Sequence, residues 1–217
     1  MCAAPALAGT TRDGAAEGKT GAQAAPGAAR TLLVLGDSLS AEYGLARGTG
    51  WVALLEGRLA ERHPGWTVVN ASISGETTSG GATRIAGLLD RHQPATVIVE
   101  LGGNDALRGL DLDATRDNLD RIVKASRESG AKVLLLGMQV PPNYGKAYTD
   151  AFAKVFRDVA KAHEAPLVPF FLEGVADDMT LFQPDRIHPN AQAQARMLGN
   201  VWPALDRLLA GKNRNGR

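Results

Sequence analysis

Four separated blocks of this sequence carry residue types suited to acyl transfer. In Gly36-Asp37-Ser38-Leu39-Ser40 a serine follows a short apolar run, in a turn that contains glycine. A serine at a sharp strand-to-helix turn presents its hydroxyl to solvent, and adjacent backbone N–H groups can face an oxyanion forming on a bound carbonyl. Gly, Asp and Ser are also ordinary turn formers, so this block alone decides nothing. Towards the other end lies Pro184-Asp185-Arg186-Ile187-His188-Pro189-Asn190. The three-residue spacing lets Asp185 bond one imidazole nitrogen of His188 while the other faces Ser38. Such a bond fixes the tautomer and stabilises the imidazolium formed when a serine proton is taken. An isolated Asp-x-x-His equally describes many surface turns and helix starts.

The two middle blocks supply donors. In Asn70-Ala71-Ser72-Ile73-Ser74-Gly75-Glu76-Thr77, Gly75 lacks a Cβ and its N–H can approach a ligand closely. The same stretch reads as a helix N-terminus, with Ser74 as the cap and Thr77 in the first turn; the two readings are compatible. In Glu100-Leu101-Gly102-Gly103-Asn104-Asp105 two glycines allow a tight turn, after which Asn104 offers an amide donor. Glu100 stands in an otherwise apolar run and is expected to be hydrogen-bonded or paired rather than catalytic, with no partner evident from sequence. His63, His92 and His163 fall at or near helix ends and read as exposed residues there, where a cation suits the helix dipole. No His, Cys and Asp cluster has ligand spacing, so neither a metal nor another cofactor is expected.

These residues work together only if the fold brings them together. Short runs rich in Val and Leu occupy 31–35, 66–70, 95–101, 132–137 and 166–170, with little polar alternation. That is the texture of strands buried on both faces of a parallel sheet. Between them lie segments of helical period. Trp51, Leu54, Leu55 and Leu59 share one face, as do Phe152, Val155, Phe156 and Val159. The last segment, 191–209, repeats the pattern with Met197, Leu198, Val201, Trp202, Leu205 and Leu208, and Pro203 is expected to kink or divide it. Strand alternating with helix predicts an α/β fold, a three-layer sandwich around a five-stranded parallel sheet with right-handed crossovers. Working residues in such sheets gather beyond the carboxyl ends of the strands, and all four blocks stand beyond predicted strands. One domain is expected over 31–210, flanked by disordered segments at 1–30 and 211–217.

At 217 residues the chain suits a single domain with a full core, and its 44% hydrophobic and 22% charged composition is that of an ordinary globular protein. A net charge of +1 argues against nucleic acid as a partner, since phosphate binding needs a clustered positive field. No apolar stretch approaches the roughly 18 residues of a membrane span. The single cysteine, Cys2, excludes an internal disulfide and any multi-thiolate site. It precedes about 28 residues rich in Ala, Gly and Thr, too poor in large apolar groups to offset their ordering entropy. Two readings of Cys2 stand side by side: a linker or misplaced start, or the lipidated first residue of a mature bacterial lipoprotein whose leader is missing.

The four blocks resemble those of the SGNH hydrolases, also called the GDSL family, which takes its name from an invariant Ser, Gly, Asn and His. Their wording is most similar to the bacterial thioesterase, arylesterase and lysophospholipase branch, and Pro142-Asn143-Tyr144-Gly145 also matches it. The resemblance covers about 31–209. It implies a flavodoxin-like α/β/α fold, and it implies hydrolysis of acyl esters and thioesters, lysophospholipids included, through an acyl-serine. By the resemblance Ser38 is the nucleophile, His188 the general base and Asp185 its orienter; the N–H groups of Ser38 and Gly75 and the Asn104 amide form the oxyanion hole. It also implies a periplasmic location and mobility in the loop 106–110, where Arg108 and Gly109 are retained. Glu42 departs from the family pattern, standing where a small residue is usual and adding negative charge near Ser38. Leu39, Leu107, Leu110, Tyr144, Phe182 and Ile187 lie near the strand ends and are candidates for an acyl groove, with ordinary core positions as the alternative for each. Other readings are a carbohydrate deacetylase or acyltransferase on the same fold, and a non-catalytic binding module, against which the intact Ser38, Gly75, Asn104, Asp185 and His188 set argues.

Overall fold

The chain is described by a computed structural model, for residues 1–2 and 30–211. The disorder expected of 1–30 and 211–217 concerns segments almost wholly outside these described residues. Five parallel strands form one sheet: β1 (Arg30–Gly36), β2 (Trp66–Asn70), β3 (Thr96–Glu100), β4 (Lys132–Leu136) and β5 (Leu167–Val168), in the order β2-β1-β3-β4-β5. Six α-helices connect and flank them: α1 (Trp51–Arg62), α2 (Thr78–His92), α3 (Gly103–Leu107), α4 (Leu112–Glu128), α5 (Lys146–Ala162) and α6 (Gln194–Leu209). Helices α1 and α6 pack together on one face, while α2, α4 and α5 pack in a row on the other. This is the three-layer α/β/α sandwich expected from the alternating pattern.

The apolar runs of β1, β3 and β4 form the centre of the core because both faces of these strands are covered. Leu32, Leu33, Val34, Leu35, Val97, Ile98 and Val99 are fully buried. Strand β2 is an edge and is only partly buried. Strand β5 is shorter than the expected 166–170, because Pro166 and Pro169 flank it and neither has an N–H for the ladder. Trp51, Leu55 and Leu59 of α1 are buried as the periodicity predicts, but Leu54 is exposed and Val52 takes the inward position. Helix α6 runs unbroken through Pro203. Its apolar stripe of Met197, Leu198, Val201 and Leu205 is buried on both sides of the proline, so packing outweighs the one ladder bond that proline removes.

Strand order reverses direction between β1 and β3, each of which has its crossovers on a different side. A crevice at the carboxyl ends of these two strands is the place where such sheets bind ligands. Gly36 and Glu100 are register partners at that end, and the Ser38 and Asn104 blocks leave the sheet there side by side.

Candidate active site

The polypeptide leaves β1 at Gly36 and enters consecutive turns over 37–44. A Cβ on Gly36 would lie 2.8 Å from Glu100 Oε2 and 2.7 Å from Ser40 Oγ, so only glycine fits at this crossing. Ser38 is half-buried, and its Oγ lies 2.9 Å from His188 Nε2. On the other side of the ring, His188 Nδ1 lies 2.7 Å from Asp185 Oδ2. The hydroxyl, imidazole and carboxylate thus form one continuous line.

The loop carrying Asp185 and His188 is fixed through its backbone. An antiparallel bridge joins Phe182 to Pro189, and the Gln183 N–H donates to the His188 carbonyl at 2.8 Å. Asn190 closes the base of the loop, its Nδ2 donating to the carbonyl oxygens of Thr180 and Phe182. Arg186 turns the chain with φ +59° between the two functional residues. Asp185 Oδ1 accepts the N–H groups of Ile187 and His188, each at 3.0 Å. Those two bonds, followed by the bond to the His188 ring, hold the Asp185 carboxyl down at about 2. It is therefore ionised wherever the imidazole is neutral, as an orienting group must be.

Three N–H donors face the same edge. Gly75 adopts φ +79° in a turn closed by a bond from the Glu76 N–H to the Ile73 carbonyl. Arg108 Nη2 donates to the Gly75 carbonyl at 2.8 Å, fixing the orientation of that residue. Among the described residues, the Ser38 and Gly75 N–H groups donate to no protein acceptor. Asn104 lies in the first turn of α3, after Gly102 at φ +112°. One hydrogen of its amide nitrogen goes to Asp37 Oδ2 at 3.0 Å, which leaves the second for a ligand.

Two groups around this line, Tyr43 and Gln183, gave no signal in the sequence, and others named there take unexpected partners. The Tyr43 ring packs 4.4 Å from the His188 ring, centroid to centroid. Gln183 Nε2 donates to the carbonyl oxygens of Tyr43 and Pro189, tying the Ser38 turn to the histidine loop. Asn70 Nδ2 ties it to β2 through the Ser40 carbonyl. Asp105 is buried and accepts from the backbone N–H and hydroxyl of Thr78, so it joins α3 to the start of α2. Glu42 adopts φ +58° and turns its carboxylate onto the N–H groups of Gly48 and Gly50, at 2.9 and 2.7 Å. Its carboxylate is thereby turned to the approach to α1 rather than to Ser38. The cap of α2 is Thr77, accepting from the Gly80 N–H, and not Ser74. His63 and His163 are largely buried at their helix ends and paired with Asp206 and Asp120, in place of the exposure expected of them.

Glu100 is fully buried. Its Oε2 accepts the Ser40 hydroxyl at 2.7 Å and the Asp37 N–H at 3.3 Å. Burial, reinforced by the Asp37 charge, pushes its carboxyl well above the usual range. Burial also pushes Asp37 up, to about 6, against the opposing bonds from the Leu39 N–H, Asn104 and Glu100.

Of the six groove candidates, Leu107, Leu110, Tyr144 and Ile187 are exposed, whereas Leu39 and Phe182 are partly buried against the core. Ile73, Tyr43 and Met179 are further exposed apolar side chains on loops at the same edge of the sheet. A cleft of about 590 Å³ lies between the carboxyl ends of α4 and α5, at the opposite edge, and has no part in this arrangement. Among the described residues, no group of three His, Cys, Asp or Glu side chains could share a metal ion.

Residues 34–196 match the model of the GDSL-like lipase/acylhydrolase family. The chain belongs to that family. It is 53% identical to Esterase TesA of Pseudomonas aeruginosa over 182 residues, 84% of this chain and 90% of that one. It is 44% identical to the thioesterase 1/protease 1/lysophospholipase L1 of Escherichia coli over 167 residues, 77% and 79% of the two chains. An arylesterase of Vibrio mimicus is 43% identical over 171 residues, 79% and 86% of the two chains. A crystal structure of TesA superposes with a TM-score of 0.81 at 52% identity, covering 82% of this chain and 99% of that one. The protein is thus a carboxylic ester and thioester hydrolase of the SGNH type, acting on small acyl substrates. No helix among the described residues is long and apolar enough to cross a membrane.

Proposed function

We propose that Ser38 is the nucleophile of a two-step acyl transfer, with His188 as general base and then acid and Asp185 as its orienter. The observation that carries this reading is the line Asp185–His188–Ser38, with contacts of 2.7 and 2.9 Å, beside three N–H donors free to receive an oxyanion. Ser38 Oγ bonds to the substrate carbonyl carbon as His188 Nε2 takes its proton. The carbonyl oxygen gains negative charge, which the N–H groups of Ser38, Gly75 and Asn104 stabilise. His188 returns the proton to the leaving alkoxide or thiolate, and an acyl-Ser38 ester is left. Water then attacks that ester by the same route, giving a carboxylic acid and free Ser38. The Asp185 carboxylate stays ionised throughout and steadies the imidazolium.

The acyl chain lies, in this reading, along an open groove rimmed by Leu107, Leu110, Tyr144 and Ile187, with Leu39 and Phe182 at its floor. An open groove accepts chains of several lengths, so aryl esters, acyl thioesters and lysophospholipids are all substrates. Chain-length profiles on p-nitrophenyl esters, acyl-CoA and lysophosphatidylcholine test this: a broad preference supports the groove, and activity confined to acetyl groups overturns it in favour of a deacetylase. The same proposal assigns the catalytic machinery to one domain over 31–210 and the enzyme to the bacterial periplasm, with Cys2 either lipidated there or part of a linker or misplaced start. Its support is the family resemblance and the position of an exposed cysteine. Cell fractionation tests the location, and mass spectrometry of the native protein tests the lipid.

A further inference from the structure

Behind the nucleophile lie two buried carboxyl groups that the acyl-transfer steps do not use. Asp37 is 2% exposed and Glu100 is fully buried, and they come from adjacent strands at the reversal point of the sheet. Asp37 is rich in donors: the Leu39 N–H reaches Oδ1 at 3.0 Å and Asn104 Nδ2 reaches Oδ2 at 3.0 Å. Glu100 also has two donors, the Ser40 hydroxyl and the Asp37 N–H, but both reach the same oxygen. Only Oε2 accepts, and Oε1 is buried with no partner among the described residues. Two charges side by side in such a place would be strongly unfavourable, and a shared proton removes the conflict. The proton belongs on Glu100, whose Oε1 receives no donor, rather than on Asp37, both of whose carboxylate oxygens accept. The Ser40 hydroxyl donates to Glu100 while accepting Trp51 Nε1–H at 3.2 Å; that bond by itself favours the ionised form of Glu100, and complete burial outweighs it.

We propose that Glu100 is a permanently protonated positioning residue, whose carboxylic acid donates to Asp37 and so keeps Asp37 able to hold the Asn104 amide in the oxyanion hole. This rests on the oxyanion role of Asn104 given above. The chain of contacts is short. The Glu100 acid and the Leu39 N–H stabilise the Asp37 carboxylate, the carboxylate captures one hydrogen of Asn104 Nδ2, and the planar amide then has its other hydrogen fixed in direction. The groups facing the pair are Ser40 and Leu39 from the β1 turn, Asn104 from α3 and His188 from the 181–190 loop. The charge on His188, when it forms, favours the ionised state of Asp37. Raised values for both carboxyls agree with a pair that carries one proton and one charge.

The test compares Glu100→Gln, Glu100→Ala and the wild type. Glutamine reproduces a protonated acid: its carbonyl accepts from Ser40 and its N–H₂ donates to Asp37. With kcat expressed per Ser38 titrated by a fluorophosphonate, Glu100→Ala is expected to lose on the order of 10²-fold with KM little changed, as for a displaced catalytic donor. Glu100→Gln restores kcat to within about threefold, a difference under 1 kcal/mol. Independently of either variant, the infrared spectrum of the wild type at about pH 8 should show the carbonyl stretch of a protonated carboxylic acid, far above the ordinary Glu range. Equal losses in Gln and Ala, an unchanged kcat per titrated site in Ala, or no such band in the wild type would each overturn the proposal. Failure of Ser38 to take the probe would instead reject the underlying active-site reading.

Discussion

Replacing Asn104 by alanine separates two effects that this structure assigns to one nitrogen atom. The first is catalytic. One oxyanion donor of three is lost, which typically costs about 10²–10³ in kcat, or about 2.7–4 kcal/mol of transition-state stabilisation. The second is structural. Asp37, 2% exposed, loses the bond at 3.0 Å to its Oδ2 and keeps only its contacts to Leu39 and Glu100. A hydrogen bond to a buried charged group is worth about 1.5–3 kcal/mol. For a domain of this size each kcal/mol moves Tm by about 2–4 °C, so a drop of several degrees is expected. Because the donor acts mainly on the transition state, KM should change little. The assay is steady-state hydrolysis of a p-nitrophenyl ester, normalised to fluorophosphonate-titrated sites, with Tm measured on the same samples. A variant that titrates fully and keeps kcat within threefold, whatever its Tm, would refute the oxyanion assignment.

Other substitutions probe the remaining parts. Asp185→Asn removes the charge that orients His188 and should lower kcat by about 10⁴, as a wrong tautomer does in other triads; a loss under tenfold in a folded variant would contradict its role. Gly75→Ala adds a Cβ that meets only Arg108 Nη2 at 3.5 Å, so its cost comes from the φ of +79° and not from a clash. A left-handed non-glycine residue costs roughly 1–2 kcal/mol, so the protein should fold with a lowered Tm and reduced kcat. Stability should vary with acid in two opposite steps. Asp185 is lowered from 3.8 to about 2 on folding, so its contribution is present above about pH 4 and is lost as pH falls through about 2. Asp37 and Glu100 are both raised by burial, so the folded protein retains protons that the unfolded chain releases, and stability falls as pH rises above about 4. Urea melts across the range measure both steps.

The proposed catalytic line was partly marked in the sequence by strand ends: Ser38 follows β1 and Asn104 follows β3 directly, whereas Asp185 and His188 lie well past β5, on a loop whose place only the fold decides. The rule that parallel sheets gather function at their carboxyl edge pointed to Ser38 and Asn104, and the roles of these residues and of His188 came from the family resemblance. The details that failed depended on contacts between distant segments. Ser74 and Thr77 are both good caps, and the turn closed through Gly75 places the helix start after the second of them. Leu54 fits a helical stripe as well as Val52 does, and only the direction from which β2 and α6 approach α1 decides between them. A proline in the last helix reads as a break until the burial on both sides of it is known. Tyr43 and Gln183 were invisible because an aromatic residue and a glutamine in loops have no pattern; their place beside His188 comes from tertiary packing alone. Glu100 was noticed as an anomaly, a carboxylate in a buried strand. Its partners Ser40 and Asp37 lie about 60 residues away in sequence and meet it only through the β1–β3 register.

The central claim is that the Ser38 hydroxyl, activated by His188, forms the acyl-enzyme. Its most direct test is peptide-level mass spectrometry of the protein after reaction with a fluorophosphonate. The wild type should carry the probe on Ser38 alone, Ser38→Ala should carry none and hydrolyse no ester, and His188→Ala should react far more slowly than the wild type. A probe found on any other residue, or full ester turnover by Ser38→Ala, would contradict the account.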